Sequence, residues 1–269
     1  KIEEKHHIRN HATFIDNHIL QVGDSIVEAK TVVIATGSSP TIMPKFEELG
    51  DRLIVNDDIF EWETLPESVA VFGPGVIGLE LGQALHRLGV RIRLFGRSGS
   101  LKPLTDTVIR DYAVKLFQEE FPFDPKANVL GMESNGEQVM IRFVDRKDGV
   151  EKHENFDYVL AATGRSPNVK DFGLENTNLE LDSRGVPIFD QVTMQCGDSS
   201  IFIAGDANNV LPLLHESADE GFIAGDNAGR FPELKPGLRR SPLSIVFCDP
   251  QIAMVGLAWS ELEGQENIV

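Results

Sequence analysis

Four stretches of the chain are apolar and then break off in small residues. They are TVVIATGSS from 31, VAVFGPG from 69, YVLAATG from 158 and IFIAGDA from 201. Each apolar part is too short for a buried helix and is bounded by Gly, Ser or Asp, so each predicts a buried strand. After 69–72 the period changes. Residues 76–88 carry apolar side chains at helical spacing, and a second strand is predicted over 90–95. Residues 105–120 read as an amphipathic helix capped by Thr105 or Asp106. Residues 139–144 alternate as a strand does, and 145–149 supply a turn. At the start, 12–15 and 19–22 flank Asp16-Asn17-His18 as a hairpin. Residues 213–228 look helical, and 242–247 begin another strand. The connection over 40–66 is polar, with an acidic cluster (Asp57, Asp58, Glu61, Glu63) that reads as a solvated face. Strands that alternate with helices predict an α/β fold with a parallel sheet.

The turn between the strand at 69–72 and its helix is Gly73-Pro74-Gly75-Val76-Ile77-Gly78. A glycine at 73 permits a sharp turn off the strand. One at 75 lets backbone approach a pyrophosphate, and one at 78 lets the helix pack closely on the sheet. The helix start then offers free N–H groups and the positive end of its dipole to phosphate. With a strand before it, a helix after it and a second strand where one is required, the motif predicts dinucleotide binding rather than a structural turn.

Selectivity for the nicotinamide cofactor would be read about 20 residues on, where an NAD site carries Asp or Glu for the ribose 2′-OH. That position falls at Phe95-Gly96-Arg97 and holds no acid. Arg97 offers a planar, permanently charged fork to a 2′-phosphate, with Lys102 nearby, which favours NADPH. The alternative is that Arg97 is a solvated loop residue.

Composition narrows the classes. The chain has 269 residues, 41% of them apolar and 25% charged, which is enough for one large or two modest domains. No apolar run is long enough to span a bilayer, and a net charge of −17 argues against nucleic acid or an anionic membrane as partner. Cys196 and Cys248 have no CxxC or CxxxxC spacing, so they are neither a disulfide framework nor a visible redox pair, which suits a reducing cytoplasm. His6, His7 and His11 lack a paired Cys or carboxylate pattern, so no metal is expected. Without an initiator Met, and opening in mid-pattern, the sequence reads as a piece of a longer chain.

Taken together the motifs resemble a known family. ATGSSP at 35–40, GPGVIGLE at 73–80, ATGRSPN at 162–168, IFIAGDANN at 201–209, LLHESADEG at 213–221 and FCDPQIAMVGL at 247–257 carry the resemblance. They are similar, in order and spacing, to the flavoprotein disulfide reductases of the pyridine nucleotide–disulfide oxidoreductase family, in particular the dihydrolipoamide dehydrogenase-like branch. The resemblance implies an α/β fold in which a Rossmann-like NAD(P)-binding domain, a parallel sheet flanked by helices, is inserted in a partial FAD-binding domain. The implied divisions are 1–39 (FAD-binding), 40–168 (the insert), 169–240 (return to the FAD-binding and central part) and 241–269 (start of a dimer interface domain). Thr36, Gly37 and Ser38 match the strand end that lies against FAD. Asp206 matches the aspartate at the flavin's ribityl chain, although the residues alone leave open a role as a helix N-cap. Pro212, Leu213, Leu214 and His215 match a segment at the flavin ring. Gly73, Pro74, Gly75, Val76, Ile77, Gly78, Leu79 and Glu80 match the NAD(P) turn, with Glu80 near the nicotinamide. Val129 and Gly164 match further cofactor contacts, and Gly96 stands where NAD-using members carry glutamate.

The implied activity is hydride transfer between NAD(P)H and FAD, in an enzyme that works as a homodimer. In the family the redox-active CxxxxC pair precedes the point where this sequence begins, and the His-Glu acid/base pair follows its end. No residue of this chain is therefore assigned a catalytic role, His215 included, and the disulfide substrate stays unknown. Two alternatives remain: a nicotinamide-nucleotide-binding module that catalyses nothing by itself, and a flavin reductase that does not act on disulfides.

Overall fold

In the computed structural model, which describes residues 4–264, the apolar runs are strands and the helical-period runs are helices. Contacts divide the chain into two units. One comprises Lys1–Ser39 and Ser166–Arg240, the other Pro40–Arg165 and Ser241–Val269. The chain thus leaves the first unit, builds most of the second, and returns.

The first unit opens with a three-stranded antiparallel meander, β1 (Ala12–Phe14), β2 (Ile19–Val22) and β3 (Ser25–Glu28). Asp16 closes the expected hairpin, its Oδ1 accepting from the His18 and Ile19 N–H groups at 2.7 and 2.8 Å. The third strand lies within the stretch 1–39 expected to be β structure but shows no alternation. It has only two apolar residues, and its side chains are largely exposed. Then come β4 (Val32–Ile34) and β5 (Ser38–Pro40).

The second unit begins with α1 (Pro44–Glu47) and β6 (Leu53–Ile54). The acidic cluster Asp57, Asp58, Glu61 and Glu63 is exposed, but the polar connection around it holds structure of its own. Phe46 is completely buried, and β6 joins the edge of the main sheet. One apolar side chain among polar neighbours carries no period, so the pattern concealed both elements. Next come β7 (Ser68–Phe72), α2 (Val76–Arg87), β8 (Arg91–Phe95), α3 (Thr107–Glu120) and β9 (Phe123–Asp124). The α3 cap is Asp106 rather than Thr105, its Oδ1 accepting from the Val108 and Ile109 N–H groups at 2.7 and 3.0 Å. The chain continues through β10 (Asn128–Ser134), β11 (Val139–Val144), β12 (Glu151–Phe156), β13 (Tyr158–Ala161) and β14 (Arg165–Pro167). Back in the first unit lie β15 (Ile201–Ile203) and α4 (Leu214–Arg230). The segment 241–264, in the second unit, holds the antiparallel pair β16 (Leu243–Val246) and β17 (Ile252–Val255), followed by α5 (Trp259–Leu262).

The main sheet has the order β6-β13-β7-β8-β9, and every adjacent pair is parallel. All five residues of β7 are buried, as expected for a central strand covered on both faces. One face packs Val69, Val71, Ile92 and Leu94 against Leu79 and Leu85 of α2 and Phe117 of α3. The other packs Ala70, Phe72 and Phe95 against Val139, Ile141 and Phe143, the buried alternate positions of β11 in the antiparallel sheet β10-β11-β12. Arg93 joins these layers. Its guanidinium lies 4.6 Å from the Phe143 ring centroid and pairs with Glu154 at 2.7 Å and Asp124 at 3.3 Å. In the first unit β4 and β15 pair in parallel, and Phe202 and Ala204 pack on Ile223 and Ala224 of α4.

Phe95 stacks on Phe72 at 5.0 Å between centroids and meets Phe143 edge-on at 5.5 Å. Phe95→Ala is expected to lower the stability of the second unit by about 3–5 kcal/mol in urea denaturation. A loss below about 1 kcal/mol would mean that the two sheets are not joined through this ring.

Candidate functional site

The glycine turn leaves the C-terminal end of β7 at the point where strand order reverses. From β7 the chain runs outward through β8 and β9, while β13 lies on the other side. Ligands of open α/β sheets bind in such a crevice. The three glycines have separable physical roles. Gly73 has φ +111, in the left-handed region, and a side chain there would run into the Ala162 carbonyl. A side chain on Gly78 would run into the Gly73 carbonyl. Gly75 differs: a Cβ there meets nothing within 4 Å. Two glycines are thus demanded by backbone packing, and the third borders open space. Gly75 is also the N-cap of α2 and provides no side-chain cap, so the first N–H groups of the helix are left to another acceptor. Pro74, Val76 and Ile77 share this rim, whereas Leu79 is buried in the core. Gly164, at the end of β13 with φ +116, has no atom near its Cβ position, and its carbonyl accepts from Thr41 N at 2.9 Å.

Glu80 is engaged within the second unit. Its Oε1 accepts the Phe247 N–H at 2.8 Å. One turn on, Gln83 accepts the Asp249 N–H at 2.7 Å and donates to the Asp249 carbonyl at 2.7 Å, and Arg87 pairs with Asp249 at 3.0 Å. Three residues on one face of α2 therefore hold the chain just after β16. Arg87 also pairs with Glu120 of α3 at 2.6 Å, and this hydrogen bond holds the Glu120 carboxyl below the usual carboxylate range. Periodicity gave no sign of this lock.

At the end of β8, Gly96 is buried, donates to the Asp124 carbonyl at 2.7 Å and accepts from Ala127 N at 2.8 Å. A side chain there would collide with the Pro125 backbone. Arg97 and Lys102 are both exposed, and Arg97 has no hydrogen bond or ion pair among the described residues. Val129 packs towards the core, against the second-face cluster.

In the first unit the ends of β4 and β15 lie side by side, with the Ala204 N–H donating to the Ile34 carbonyl at 3.0 Å. This brings Thr36, Gly37 and Ser38 to Asp206. Ser38 Oγ donates to Asp206 Oδ2 at 2.7 Å, and Ser217 Oγ of α4 donates to Oδ1 at 3.3 Å. The N-cap alternative for Asp206 is thereby corrected: the N-cap of α4 is Leu213, without a side-chain cap. Asn168 fixes the 36–39 strand end from several directions. Its carbonyl accepts from Thr36 Oγ1 at 2.5 Å, its Nδ2 donates to the Thr36 carbonyl at 3.0 Å, and its Oδ1 accepts from Ser39 Oγ at 2.8 Å. Pro212, Leu214 and His215 are exposed around the start of α4. His11 Nε2 hydrogen-bonds the Asp171 carbonyl at 2.8 Å. Both cysteines are buried. Burial pushes the Cys196 thiol up to about 12 and raises Cys248 as well. Among the described residues no helix is long and apolar enough to cross a membrane.

Comparison with known proteins agrees with this arrangement. The family model described as pyridine nucleotide-disulphide oxidoreductase matches residues 2–221. The dihydrolipoyl dehydrogenase of Chlamydia pneumoniae is 32% identical over 246 residues, covering 91% of this chain and 51% of that protein. The mercuric reductase of Staphylococcus aureus is 31% identical over 253 residues, covering 93% of this chain and 45% of that protein. The chain thus spans about half the length of the curated relatives it matches. Among solved structures, the HOCl-induced flavoprotein disulfide reductase RclA of Escherichia coli has the same fold, with a TM-score of 0.80 at 21% identity over 96% of this chain and 59% of that one. LpdA of Mycobacterium tuberculosis gives a TM-score of 0.74 at 27% identity over 91% of this chain and 53% of that one.

The glycines make a testable contrast. Gly78→Ala is expected to cost about 1–3 kcal/mol of stability through overpacking, whereas Gly75→Val should stay within about 0.5 kcal/mol of the parent. Thermal melts of the two variants compare them directly, and equal losses would remove the distinction. The buried thiols are expected to resist a thiol-specific chromogenic reagent at neutral pH and to react only after unfolding. Rapid reaction of either thiol in the native chain would contradict their burial.

Proposed function

The chain belongs to the pyridine nucleotide-disulphide oxidoreductase family, and we propose that it supplies both nucleotide-binding surfaces of an FAD-dependent, dihydrolipoamide dehydrogenase-like oxidoreductase. On this reading the Gly73–Gly78 turn and the start of α2 take the pyrophosphate of NAD(P)H. Asp206, with Thr36, Gly37 and Ser38, takes the hydroxyls of FAD, and residues 212–215 border its ring. Val129 and Gly164 are secondary contacts of the nicotinamide nucleotide. The single observation that carries the reading is the contrast at the glycine turn. Two glycines are required by backbone contact, while Gly75 faces open space beside an uncapped helix start.

The fit to FAD rests on a different feature. Asp206 is an acceptor pair whose neighbours are hydroxyls, at the end of a parallel strand beside a second strand end rich in small residues. When bound, the flavin would supply hydride acceptance, and the protein's part is binding and orientation. The two cysteines are buried with raised thiols, so the redox disulfide is assigned to residues outside this sequence. The same fact favours a second reading of the chain taken alone: it binds nucleotide and reduces no disulfide. The cytoplasm and a homodimer, with 241–269 opening the interface domain, complete the proposal.

Between the nicotinamide cofactors, Arg97, exposed and unpaired among the described residues, favours NADPH. Arg97→Ala is expected to raise the Kd for NADPH about tenfold and leave that for NADH within about twofold. Gly75→Val is expected to abolish binding of both without lowering the melting temperature, and unchanged affinity in that variant would sink the nucleotide assignment. The decisive experiment is an anaerobic visible spectrum before and after each reduced nucleotide. A flavin band that bleaches with NADPH and not with NADH supports the reading in full. Bleaching with NADH alone removes the role of Arg97. A colourless protein that still binds a nicotinamide nucleotide leaves the binding-module reading.

A further inference from the structure

We infer that Glu220 and Arg239 are positioning residues that set the main chain at Gly205 and so aim Asp206, an inference that rests on Asp206 meeting FAD. Glu220 is only 1% exposed, and its two oxygens face different ways. Oε2 accepts the Gly205 N–H at 2.8 Å and an Asn208 Nδ2–H at 2.6 Å. Oε1 accepts from Arg239 Nη1 at 3.0 Å. The other terminal nitrogen of Arg239 donates to Glu216 Oε2 at 2.9 Å, and Glu216 is itself 5% exposed. One guanidinium thus spans two buried carboxylates that stand one turn apart on α4.

A carboxylate in such surroundings is costly unless charged and neutral donors satisfy it. Here the donors on one oxygen belong to the turn that carries Asp206. That turn is a single 3-10 turn, Gly205–Asn208, entered through Gly205 at φ +69 and left through Asn209 at φ +59. Both ends have positive φ, at glycine and asparagine, the residue types that adopt it most readily. The turn also lies tightly on α4, since a Cβ at Gly205 would stand 3.2 Å from Ser217 Oγ. Ser217 in turn donates to Asp206. The helix therefore holds the turn at three sites. Glu220 fixes the amide of residue 205, Ser217 orients the carboxylate of residue 206, and Glu220 again fixes the side chain of residue 208.

Only a carboxylate meets this demand. Glutamine at 220 would have to turn its NH2 group either towards Gly205 and Asn208 or towards the guanidinium, and each is a meeting of donors. Arg239 supplies the donor on Oε1 while Gly205 and Asn208 supply those on Oε2, so both oxygens are used as acceptors. The bland reading, that the three charges only stabilise the fold, predicts a lower melting point with the turn itself unaltered.

The test uses the 269-residue chain and FAD, with the dissociation constant read from quenching of flavin fluorescence and, in the FAD-free chain, amide hydrogen exchange at 205–209. Parent, Asp206→Asn, Glu220→Gln and Arg239→Lys are compared. The expected result is at least a tenfold rise in Kd for Glu220→Gln, together with faster exchange at 205–209 and unchanged exchange at 69–87. If Glu220→Gln does not fold, Arg239→Lys keeps a charge but cannot span both carboxylates, and a threefold or greater rise in Kd with the same exchange signature is expected. Weakened binding in Asp206→Asn with parent-like binding in the folded position-220 or position-239 variant would overturn the positioning role and leave the FAD reading intact. If the parent binds no FAD, or Asp206→Asn binds it as the parent does, the FAD reading fails and this inference falls with it.

Discussion

The carbonyl of Gly73 lies where a side chain on Gly78 would have to be, and much of the second unit depends on that contact. It brings the first turn of α2 down onto the end of β7. Because β7 is buried along its whole length, the helix can approach only if the turn is this tight. The end of β13 is included in the same constraint, since the Ala162 carbonyl occupies the side-chain space of Gly73. Three chain segments therefore meet by backbone alone. What is left over is a short arc of main chain around Gly75 with nothing beside it and with helix N–H groups lacking an internal acceptor. The proposed dinucleotide crevice would then be a consequence of packing a helix very closely, its opening at the turn glycine that packing does not use.

The first unit solves a similar problem by other means. Its strand ends are fixed by side chains: Asn168 around Thr36 and Ser39, and Ser38 and Ser217 around Asp206. Side-chain cradles need their own supports, such as the buried Glu220 carboxylate beneath the Gly205 turn, whereas backbone contacts hold the Gly73 turn. Backbone contact is rigid and tolerates only glycine. A hydrogen-bonded cradle accepts several residue types but depends on a network being complete.

This difference also explains what could be read from the sequence. Strands β7, β8, β11, β13 and β15 were legible because they are buried on both faces or alternate cleanly, and α2 and α3 because their apolar period faces a single core. Strand β10 was hidden by a register shift between Val129 and Gly131 that interrupts its alternation. Strand β12 reads EKHENF, a charged run with only Phe156 fully buried. In the site, the glycine turn and Asp206 were visible because their chemistry is written in adjacent residues. Glu216 and Glu220 were not, since two acids four apart on a helix read as a solvated face until Arg239, distant in sequence, is folded onto them. Nor was the grip of Glu80, Gln83 and Arg87 on residues 247–249, which joins segments far apart along the chain.

The absence of an acid at position 96 has a steric cause before it has an electrostatic one. Any side chain there meets the Pro125 backbone, and the hydrogen bonds of Gly96 with Asp124 and Ala127 hold that loop in position. A glutamate at this place would need a differently set loop, so the residue and the loop form a single feature. It follows that glycine at 96 does not by itself argue for NADPH. It removes an acidic partner for a ribose hydroxyl, and it does so to satisfy the chain at 125. The argument for a 2′-phosphate rests on Arg97 alone, an exposed guanidinium beside a buried glycine with its charge uncompensated among the described residues. Under the proposed reading, selectivity is a matter of one permanent charge, and salt that screens exposed charges should erode it before it erodes binding of the dinucleotide at the backbone of the turn.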